Sequence, residues 1–397
     1  MTILRSLRSA VLARLGAVVG VSALAAACVA TPTGPQTSQP TQQRPAPAGE
    51  TIGSGSVPVA LLLPMSAGGE ASGLATAFRN AAELAMNDFP SADVRILVRD
   101  TGGTDTGGRD ATQRAIGEGA KLVLGPVFSP AVAGASAPAR QAGVPIIAFS
   151  TDATVARRGV YLLSFLPRQD ADRIISYAAS QGRTSFAALV PDNGYGLVME
   201  AAFREAVSRS KGQVVTVERY AADAGDMAAK ARAVAAKGNV NAVFMPNGGQ
   251  DPQILAAALS EAGMGGAKLL GSGQWDNPAV LQSSALAGSW FPAPQKRGYQ
   301  SFASKYQAKF GSAPPRTASL AYDATSLAAG LVRARGAGAF TDDMLTNPDG
   351  FLGVDGIFRF LSDGRSQRGL AVYEVSGGGN SRVVSTAPRS FTSGGGF

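Results

Sequence analysis

Residues 57–63 are VPVALLL, residues 71–88 are ASGLATAFRNAAELAMND, and residues 94–98 are VRILV. The first and third segments are short apolar runs of strand length, whereas the middle segment repeats its apolar residues at helical spacing. Two strands separated by a helix predict a parallel βαβ unit with a right-handed crossover. We therefore expect a protein of the α/β class.

The same alternation continues along the chain. Because each strand-like run is apolar on both faces, helices should cover both sides of a parallel sheet. Five strands precede residue 166 and four more follow up to residue 271, which predicts two Rossmann-like units with parallel sheets. For the predicted helices and strands from residue 299 onward, the sequence does not show which of the two units they join. The remaining expected strands are 121–124, 145–149, 160–165, 186–190, 214–217, 242–245, 268–270, 357–361 and 370–375, and the remaining helices are 108–118, 129–141, 169–180, 196–210, 227–237, 251–262, 299–310 and 317–335.

The composition excludes several kinds of chemistry. The 397 residues include no histidine and one cysteine, so the chain has no Ser-His-Asp triad, no histidine-based zinc site and no intrachain disulfide. We find no nucleophile elbow, phosphate loop or dinucleotide fingerprint. The formal net charge of +8 is dispersed along the chain, which does not indicate a nucleic-acid partner. We expect no enzyme activity, no cofactor and no metal.

The first 27 residues are typical of a secretory signal peptide. Arg5, Arg8 and Arg14 form a basic start, an apolar stretch follows, and three alanines precede Cys28. The segment LAAAC at residues 24–28 resembles the lipobox of bacterial lipoproteins, although its leucine lies one position early. The resemblance implies that Cys28 becomes the lipidated N-terminus. The alternative is an ordinary cleaved signal followed by an incidental cysteine.

Residues 28–56 are predicted to be a lipid anchor and a proline-rich linker. Residues 31–56 contain five prolines among Thr, Gln, Ser and Gly, and they have too few apolar side chains to form a core. The Gly- and Ser-rich end of the chain from residue 376 is expected to be largely a frayed tail, with residues 386–397 flexible.

Six short motifs in the loops and helices resemble those of one family. They are LLPMS at 62–66, FRNAAELA at 78–85, GPVFS at 125–129, PIIAFST at 145–151, DNGYG at 192–196 and AYDA at 321–324. In this order and spacing they resemble the type I periplasmic binding proteins, and within these the leucine/isoleucine/valine-binding branch. The resemblance covers residues 57–385.

The resemblance implies two Rossmann-like lobes that are joined by three crossover segments and close over a small polar ligand. The crossovers are expected near 166–168, 289–292 and 351–357. Lobe 1 is then 57–165 plus 293–352, and lobe 2 is 166–292 plus 353–385. The late helices would return to lobe 1, and the last strands to lobe 2.

Candidate ligand contacts lie where predicted strands end. Each also has a structural alternative. Ser129 could cap the helix that begins at Pro130, Tyr195 and Asn247 could be turn residues, Trp275 could pack within its own lobe, and Asp323 could bond to a neighbouring helix cap. The residues expected to contact the ligand are Ser66, Ser129, Ser150, Thr151, Tyr195, Asn247 and Trp275.

One departure from the family concerns the ligand's ammonium group. Amino-acid receptors of the family carry an acidic residue in the loop that corresponds to residues 271–276, but Gly273 and Gln274 are uncharged. An unpaired buried ammonium would cost several kcal/mol. Asp276 or Asp152 could replace the missing carboxylate only with a changed geometry, so ordinary branched amino acids are expected to bind weakly.

Two functions fit this pattern. The first is a periplasmic, lipid-anchored solute receptor of an ABC importer, which binds an amino-acid or amide-like ligand and docks on an ABC permease. The alternative is an outer-membrane lipoprotein that activates a penicillin-binding protein. Lipoproteins of this class are described as having the same type I fold, which this sequence resembles. Val29, rather than aspartate, follows Cys28, which by the bacterial sorting rule favours the outer membrane.

Overall fold

The structure is a computed structural model that describes residues 49–391. Its first lobe contains a six-stranded sheet in the order β1-β3-β2-β4-β5-β6, in which all neighbours are parallel except the edge strand β1. Helices separate the strands as the sequence predicts. The elements are β1 (Thr51–Ile52), β2 (Val57–Leu63), α1 (Glu70–Asp88), β3 (Val94–Asp100), α2 (Asp105–Gly117), β4 (Val123–Leu124), α3 (Ser129–Gln141), β5 (Ile146–Ala148) and β6 (Val160–Leu162).

Strand β2 shows why this sheet is covered on both faces. All seven of its residues are buried. Val59 and Leu61 lie in one apolar core, which includes Phe78 of α1, whereas Ala60 and Leu62 lie in the core on the opposite face. The alternation follows from the two-residue period of a strand. A continuous apolar run is therefore required at this position.

The second lobe contains a seven-stranded sheet in the order β16-β15-β11-β10-β9-β7-β8. The strands from β8 to β11 are parallel, while β15 and β16 add antiparallel pairs at one edge. The first elements of this lobe are α4 (Pro167–Ser180), β7 (Ser185–Pro191), α5 (Gly194–Arg209), β8 (Gln213–Tyr220), α6 (Ala224–Ala236), β9 (Ala242–Phe244), α7 (Asp251–Glu261), β10 (Lys268–Leu270), α8 (Pro278–Gln282) and β11 (Trp290–Ala293).

The chain then returns to the first lobe. Helix α10 packs against α1, and Phe302 and Leu320 are buried in the core of the first lobe. The remaining elements are α9 (Lys296–Phe310), α10 (Ala318–Arg335), α11 (Asp342–Leu345), β12 (Phe351–Gly353), β13 (Gly356–Phe360), β14 (Ser366–Arg368), β15 (Ala371–Gly377) and β16 (Asn380–Ser385).

Strands β12, β13 and β14 form a small antiparallel sheet of their own. Phe358 and Phe360 of this sheet are buried in the core of the first lobe, and the Phe360 ring lies 5.4 Å from that of Tyr161. We expected the chain to enter the second lobe at residues 351–357. Because these aromatic side chains pack on the first lobe, the chain reaches the second sheet only with β15.

Two further segments differ from the sequence-based expectation. Residues 290–292, expected in a crossover, lie in β11, which pairs with both β10 and β15. The region after residue 376 is not a frayed tail up to residue 385, because β16 pairs with β15 across a turn of three glycines with positive φ. In the predicted tail, Ala387 is buried.

The expected strands and helices otherwise agree with the observed ones to within three residues at each end. The signal peptide, Cys28, most of the linker and residues 392–397 lie outside the described residues. Within residues 49–391, no helix combines the length and the apolar character needed to span a membrane.

Candidate ligand-binding site

The strand order of each sheet reverses once, and ligands of open parallel sheets bind beyond the carboxyl ends of the strands at such a point. In the first lobe the reversal lies between β2 and β4, and the loops after these strands carry Ser66 and Ser129. In the second lobe it lies between β7 and β9, and the loops there carry Tyr195 and Asn247. The topology therefore places four predicted residues at switch points.

A cavity of about 300 Å³ lies where the crossover segments meet the second lobe. This volume is at the lower end of the range for small-molecule sites. Residues from both lobes and from all three crossovers contribute to its walls. The lining residues are Phe165, Leu166, Pro167, Gln169, Asp170, Tyr195, Gly273, Gln274, Asp276, Ala293, Pro294, Arg316, Arg368 and Leu370.

Tyr195 forms part of the wall on the side of the second lobe. It lies in the first turn of α5, which Asn193 caps by accepting the N–H of Gly196 at 3.0 Å. Its hydroxyl donates to the carbonyl of Pro246 at 3.2 Å and lies 3.4 Å from Ser272 Oγ. Burial raises the pKa of this phenol above its ordinary value. The contacts of the hydroxyl group thus hold the side chain in place, and Tyr195 lines the cavity.

Two acidic residues line the cavity. Asp276 forms an ion pair with Lys296 at 2.6 Å, whereas Asp170 forms no ion pair among the described residues. Asp170 lies in the first turn of α4 and accepts the backbone N–H of Gly273 at 2.8 Å. Burial raises the pKa of this carboxyl to about 7, against the opposing effect of that N–H. A Cβ at position 273 would lie 3.0 Å from Asp170 Oδ2, so the carboxylate occupies the space beside the glycine.

Arg316 brings a positive charge to the opposite wall. It forms an ion pair with Asp355, which is completely buried and also accepts the hydroxyl of Ser319 at 2.7 Å. The guanidinium lies 4.0 Å from the centre of the Tyr299 ring and 5.0 Å from that of Phe165. Its charge is therefore compensated within the protein.

Arg368 is the second cation of the cavity, and only 3% of it is exposed. Nε donates to the carbonyl of Ser164 at 3.2 Å, and the guanidinium lies 4.8 Å from the centre of the Phe165 ring. Neither Nη1 nor Nη2 has a hydrogen-bond partner within residues 49–391. Burial lowers the pKa of Arg368, but the negative charges of Asp355 and Asp323 oppose it, and arginine remains protonated in proteins.

Asp323 lies behind this cluster. Its Oδ1 accepts the backbone N–H of Val354 at 2.8 Å, while Oδ2 is buried without a partner among the described residues. Burial, followed by repulsion from Asp355, raises its pKa to about 7. Asp323 thus binds a backbone group rather than lining the cavity.

Trp275 and Asn247 lie outside the lining of this cavity. Trp275 is completely buried, and its indole N–H donates to the carbonyl of Asn247 at 3.0 Å. The side chain of Asn247 donates to Asp251, as does the hydroxyl of Tyr220. The structure therefore presents the packing alternative for Trp275, while the side chain and the carbonyl of Asn247 bind neighbouring residues of its own lobe.

The predicted contacts of the first lobe, namely Ser66, Ser129, Ser150 and Thr151, do not line the cavity within the described structure. The expected capping role of Ser129 is wrong, because α3 begins at Ser129 itself and has no side-chain cap. Its hydroxyl instead interacts with Asp152. Ser150 Oγ accepts the N–H of Asp152 at 3.1 Å, and Thr151 is exposed.

Of the predicted contacts only Tyr195 lines the cavity, and the aromatic and charged lining residues that were not predicted as contacts include Phe165, Asp170, Arg316 and Arg368. Asp170 has the position of an ordinary acidic residue in a first helical turn. Arg316 and Arg368 do not lie directly after a predicted strand. Their positions in the sequence therefore did not indicate a ligand contact. The available signal for Arg368 was an arginine just before the predicted apolar strand 370–375, in the segment RGLAVY at residues 368–373.

The chain matches the family model described as periplasmic binding protein over residues 56–380. A search of curated proteins finds no match. Solved structures with similar folds include a Rhodospirillum rubrum protein described as a branched-chain amino acid ABC transporter. It has 21% identity and a TM-score of 0.71, and the alignment covers 83% of this chain and 99% of the other.

Two further structures resemble the fold at lower scores. The Streptococcus pneumoniae branched-chain amino acid transporter substrate-binding protein, in complex with isoleucine, has 20% identity and a TM-score of 0.55, with 83% of this chain and 99% of the other covered. A solute-binding protein of an ABC transporter from Rhodopseudomonas palustris, in complex with 3,4-dihydroxybenzoic acid, has 19% identity and a TM-score of 0.59, with 83% and 96% covered.

Proposed function

The chain belongs to the periplasmic binding protein family, and from this premise we propose that it is a solute receptor of an ABC importer. The observation that supports the proposal is the cavity of about 300 Å³ at the crossovers, whose walls combine an aromatic ring, a carboxylate and a free guanidinium. A pocket with a few convergent polar groups is the usual form of a small-molecule site.

We propose an amino-acid or amide-like ligand whose ammonium group pairs with Asp170. The loop at residues 271–276 lacks the acidic residue that the family resemblance leads one to expect, but Asp170 lies against Gly273 of that loop. A carboxylate supplied by α4 therefore compensates for the uncharged Gly273 and Gln274. An ammonium next to Asp170 would favour its ionised form and would lower its raised pKa.

The first lobe would complete the site when the lobes close. Ser129 and Thr151 lie at the ends of β4 and β5, where parallel strands present ligand contacts. We propose that they contact the ligand only in a closed state, as hinge closure in such two-lobed proteins brings separate loops together. Tyr195 would then cover the ligand from the second lobe.

The activator of a penicillin-binding protein is the second candidate. The sequence kept it as the alternative because Gly273 and Gln274 are uncharged where the family resemblance implies an acidic residue, which argues against an ordinary amino-acid pocket. Asp170 removes most of that objection, and the receptor is therefore the better-supported function. Both candidates are compatible with a periplasmic protein anchored through Cys28.

A thermal-shift screen tests the proposal. The purified protein is screened against amino acids, amides, short peptides and peptidoglycan fragments, since a ligand at one hundred times its Kd stabilises a protein by about 2.7 kcal/mol. We expect a hit that Tyr195→Ala abolishes and Leu197→Ala preserves, because Leu197 lies on the same helix with half of its surface exposed. A blank screen, together with capture of a peptidoglycan synthase, would favour the activator.

A further inference from the structure

We propose that Arg368 binds the carboxylate of the ligand, so that the acid end of the ligand lies at the crossovers and not at the loops of the first lobe. This inference rests on the proposed receptor function and specifies the ligand as a small free carboxylic acid. Arg368 lies in β14, which belongs to the small antiparallel sheet and to neither of the two main sheets.

The hydrogen-bonding state of Arg368 is the first argument. The side chain is 97% buried, and Nε is occupied by the carbonyl of Ser164. Nη1 and Nη2 remain without partners within residues 49–391, although the residue lines the cavity. A buried donor without a partner is costly. A planar guanidinium with two free nitrogens matches the two oxygens of a carboxylate.

The neighbouring charges are the second argument. Asp355 already pairs with Arg316 and Ser319, and Asp323 directs Oδ1 to the backbone of Val354. Neither carboxylate forms an ion pair with Arg368 in the described structure, since both act on it only at longer range. The Phe165 ring, which contacts Arg368 and Arg316, holds the guanidinium in place. The cation is therefore held in position, and its two unpaired nitrogens are buried in the described structure, so a ligand would reach them with a small opening of the cavity wall.

The first-lobe loops are the third argument, because they are acidic. Asp100 accepts the N–H of Ser66 at 3.1 Å, and Asp152 interacts with the hydroxyl of Ser129. Burial acts to raise the pKa of Asp100, but hydrogen bonds from Ser66 and Gly102 outweigh it and keep the pKa low. Hydrogen bonds from Thr154 lower the pKa of Asp152. A ligand carboxylate beside these two anions would be repelled.

A cation and an acid that both line the cavity therefore complement the two charges of a zwitterion. Arg368 would bind the carboxylate, and Asp170 would bind the ammonium. An amide in place of the acid would lose the charge-assisted pair at Arg368 and gain nothing at Asp170.

Calorimetry with matched pairs of probes tests the inference. The probes are leucine, phenylalanine and glutamine, each as the free acid and as the primary amide of its α-carboxyl group. We expect the acid to bind about tenfold or more tightly than the amide, which corresponds to one charge-assisted hydrogen-bonded pair. The double variant Arg368→Met, Asp323→Asn, which removes one buried cation and one buried acid together, should lose this preference.

Three controls separate binding from folding. Asp323→Asn alone keeps Arg368 and should keep the preference, as should Arg382→Gln at an exposed ion pair outside the cavity. Arg368→Lys retains the positive charge but loses the planar pair of guanidinium nitrogens that can bind both carboxylate oxygens. It should therefore reduce the preference for the acid over the amide severalfold, and this test holds even if the double variant unfolds. Equal affinities for acid and amide, or a preference that survives Arg368→Lys unchanged, would overturn the inference.

The failure of the inference is distinguishable from that of the receptor function. If none of the six probes binds while a solute without a carboxylate binds in a manner that depends on Tyr195, the carboxylate site is refuted and the receptor remains. If no solute of any class binds, both proposals fall.

Discussion

The carboxylate of Asp170 accepts the backbone N–H of Gly273 at 2.8 Å, although the two residues are 103 positions apart. This bond joins the first turn of α4 to the loop after β10. The glycine leaves the space that the carboxylate fills, because even a Cβ at position 273 would lie 3.0 Å from Oδ2. The carboxylate next to Gly273 thus comes from a helix and not from the loop itself.

The first prediction concerns this carboxylate. Asp170→Asn should weaken ligands that carry an ammonium group by about tenfold or more, because a buried charge loses its partner. Ligands without an ammonium should bind as well or better, since a negative charge leaves the cavity. Calorimetry with an amino acid and its des-amino acid measures both effects. Asp110→Asn, at an exposed position of α2, is the matched control and should change neither affinity.

The second prediction concerns pH and Asp323. Burial and the charge of Asp355 raise its folded-state pKa to about 7, whereas an unfolded aspartate titrates near 3.9. Between these values the folded state binds more protons, so the free energy of unfolding falls as pH rises from about 4 to 7 and is level above. Asp323→Asn should remove up to about 4 kcal/mol of that fall.

Denaturant titrations of wild type and Asp323→Asn at pH 5 and pH 8 measure this difference. The variant should gain stability relative to wild type at pH 8. An identical pH dependence of the two proteins would mean that Asp323 is ionised in the folded state throughout this range.

The packing of α2 against α3 gives a third prediction. A Cβ at Gly134 would lie 1.9 Å from the carbonyl oxygen of Asp105, so Gly134→Ala should force the helices apart and destabilise the protein by about 1–3 kcal/mol. Gly330→Ala in α10 meets no atom within 4 Å and should stabilise by up to about 1 kcal/mol through helix propensity. Thermal unfolding measures both effects, and we expect a lower Tm for Gly134→Ala and a higher Tm for Gly330→Ala. Equal shifts in Tm for the two variants would contradict the close packing of α2 against α3.

The expected elements follow from local periodicity, which is why β2, β10 and α3 agree with the sequence-based prediction. The destination of the late segments depends on long-range packing that periodicity does not encode. Phe358 and Phe360 resemble any strand residues, yet they pack on the first lobe beside Tyr161.

The site was harder to predict for a similar reason. Tyr195 was found because it follows β7 in a recognisable loop, and it lines the cavity. Trp275 also follows a strand, but its indole fills the core of its own lobe. Asp170 and Arg368 belong to the crossovers, and only the folded chain brings them together.

The fourth prediction concerns the anchor, which lies outside the described residues. We expect Cys28 to be diacylated at the new N-terminus, because it is the only cysteine and follows three alanines. Mass spectrometry of the mature protein measures the modification. Cys28→Ser should abolish membrane association, whereas an unmodified thiol in the mature chain, or cleavage at another position, would refute the anchor.

The central claim is that a small solute binds in the cavity between Tyr195 and Arg368. A crystal structure grown with the tightest-binding solute of the screen tests it most directly. The account predicts electron density in this cavity, with a carboxylate at Arg368 Nη1 and Nη2 and an ammonium at Asp170. An empty cavity with the solute bound elsewhere on the molecule would contradict it.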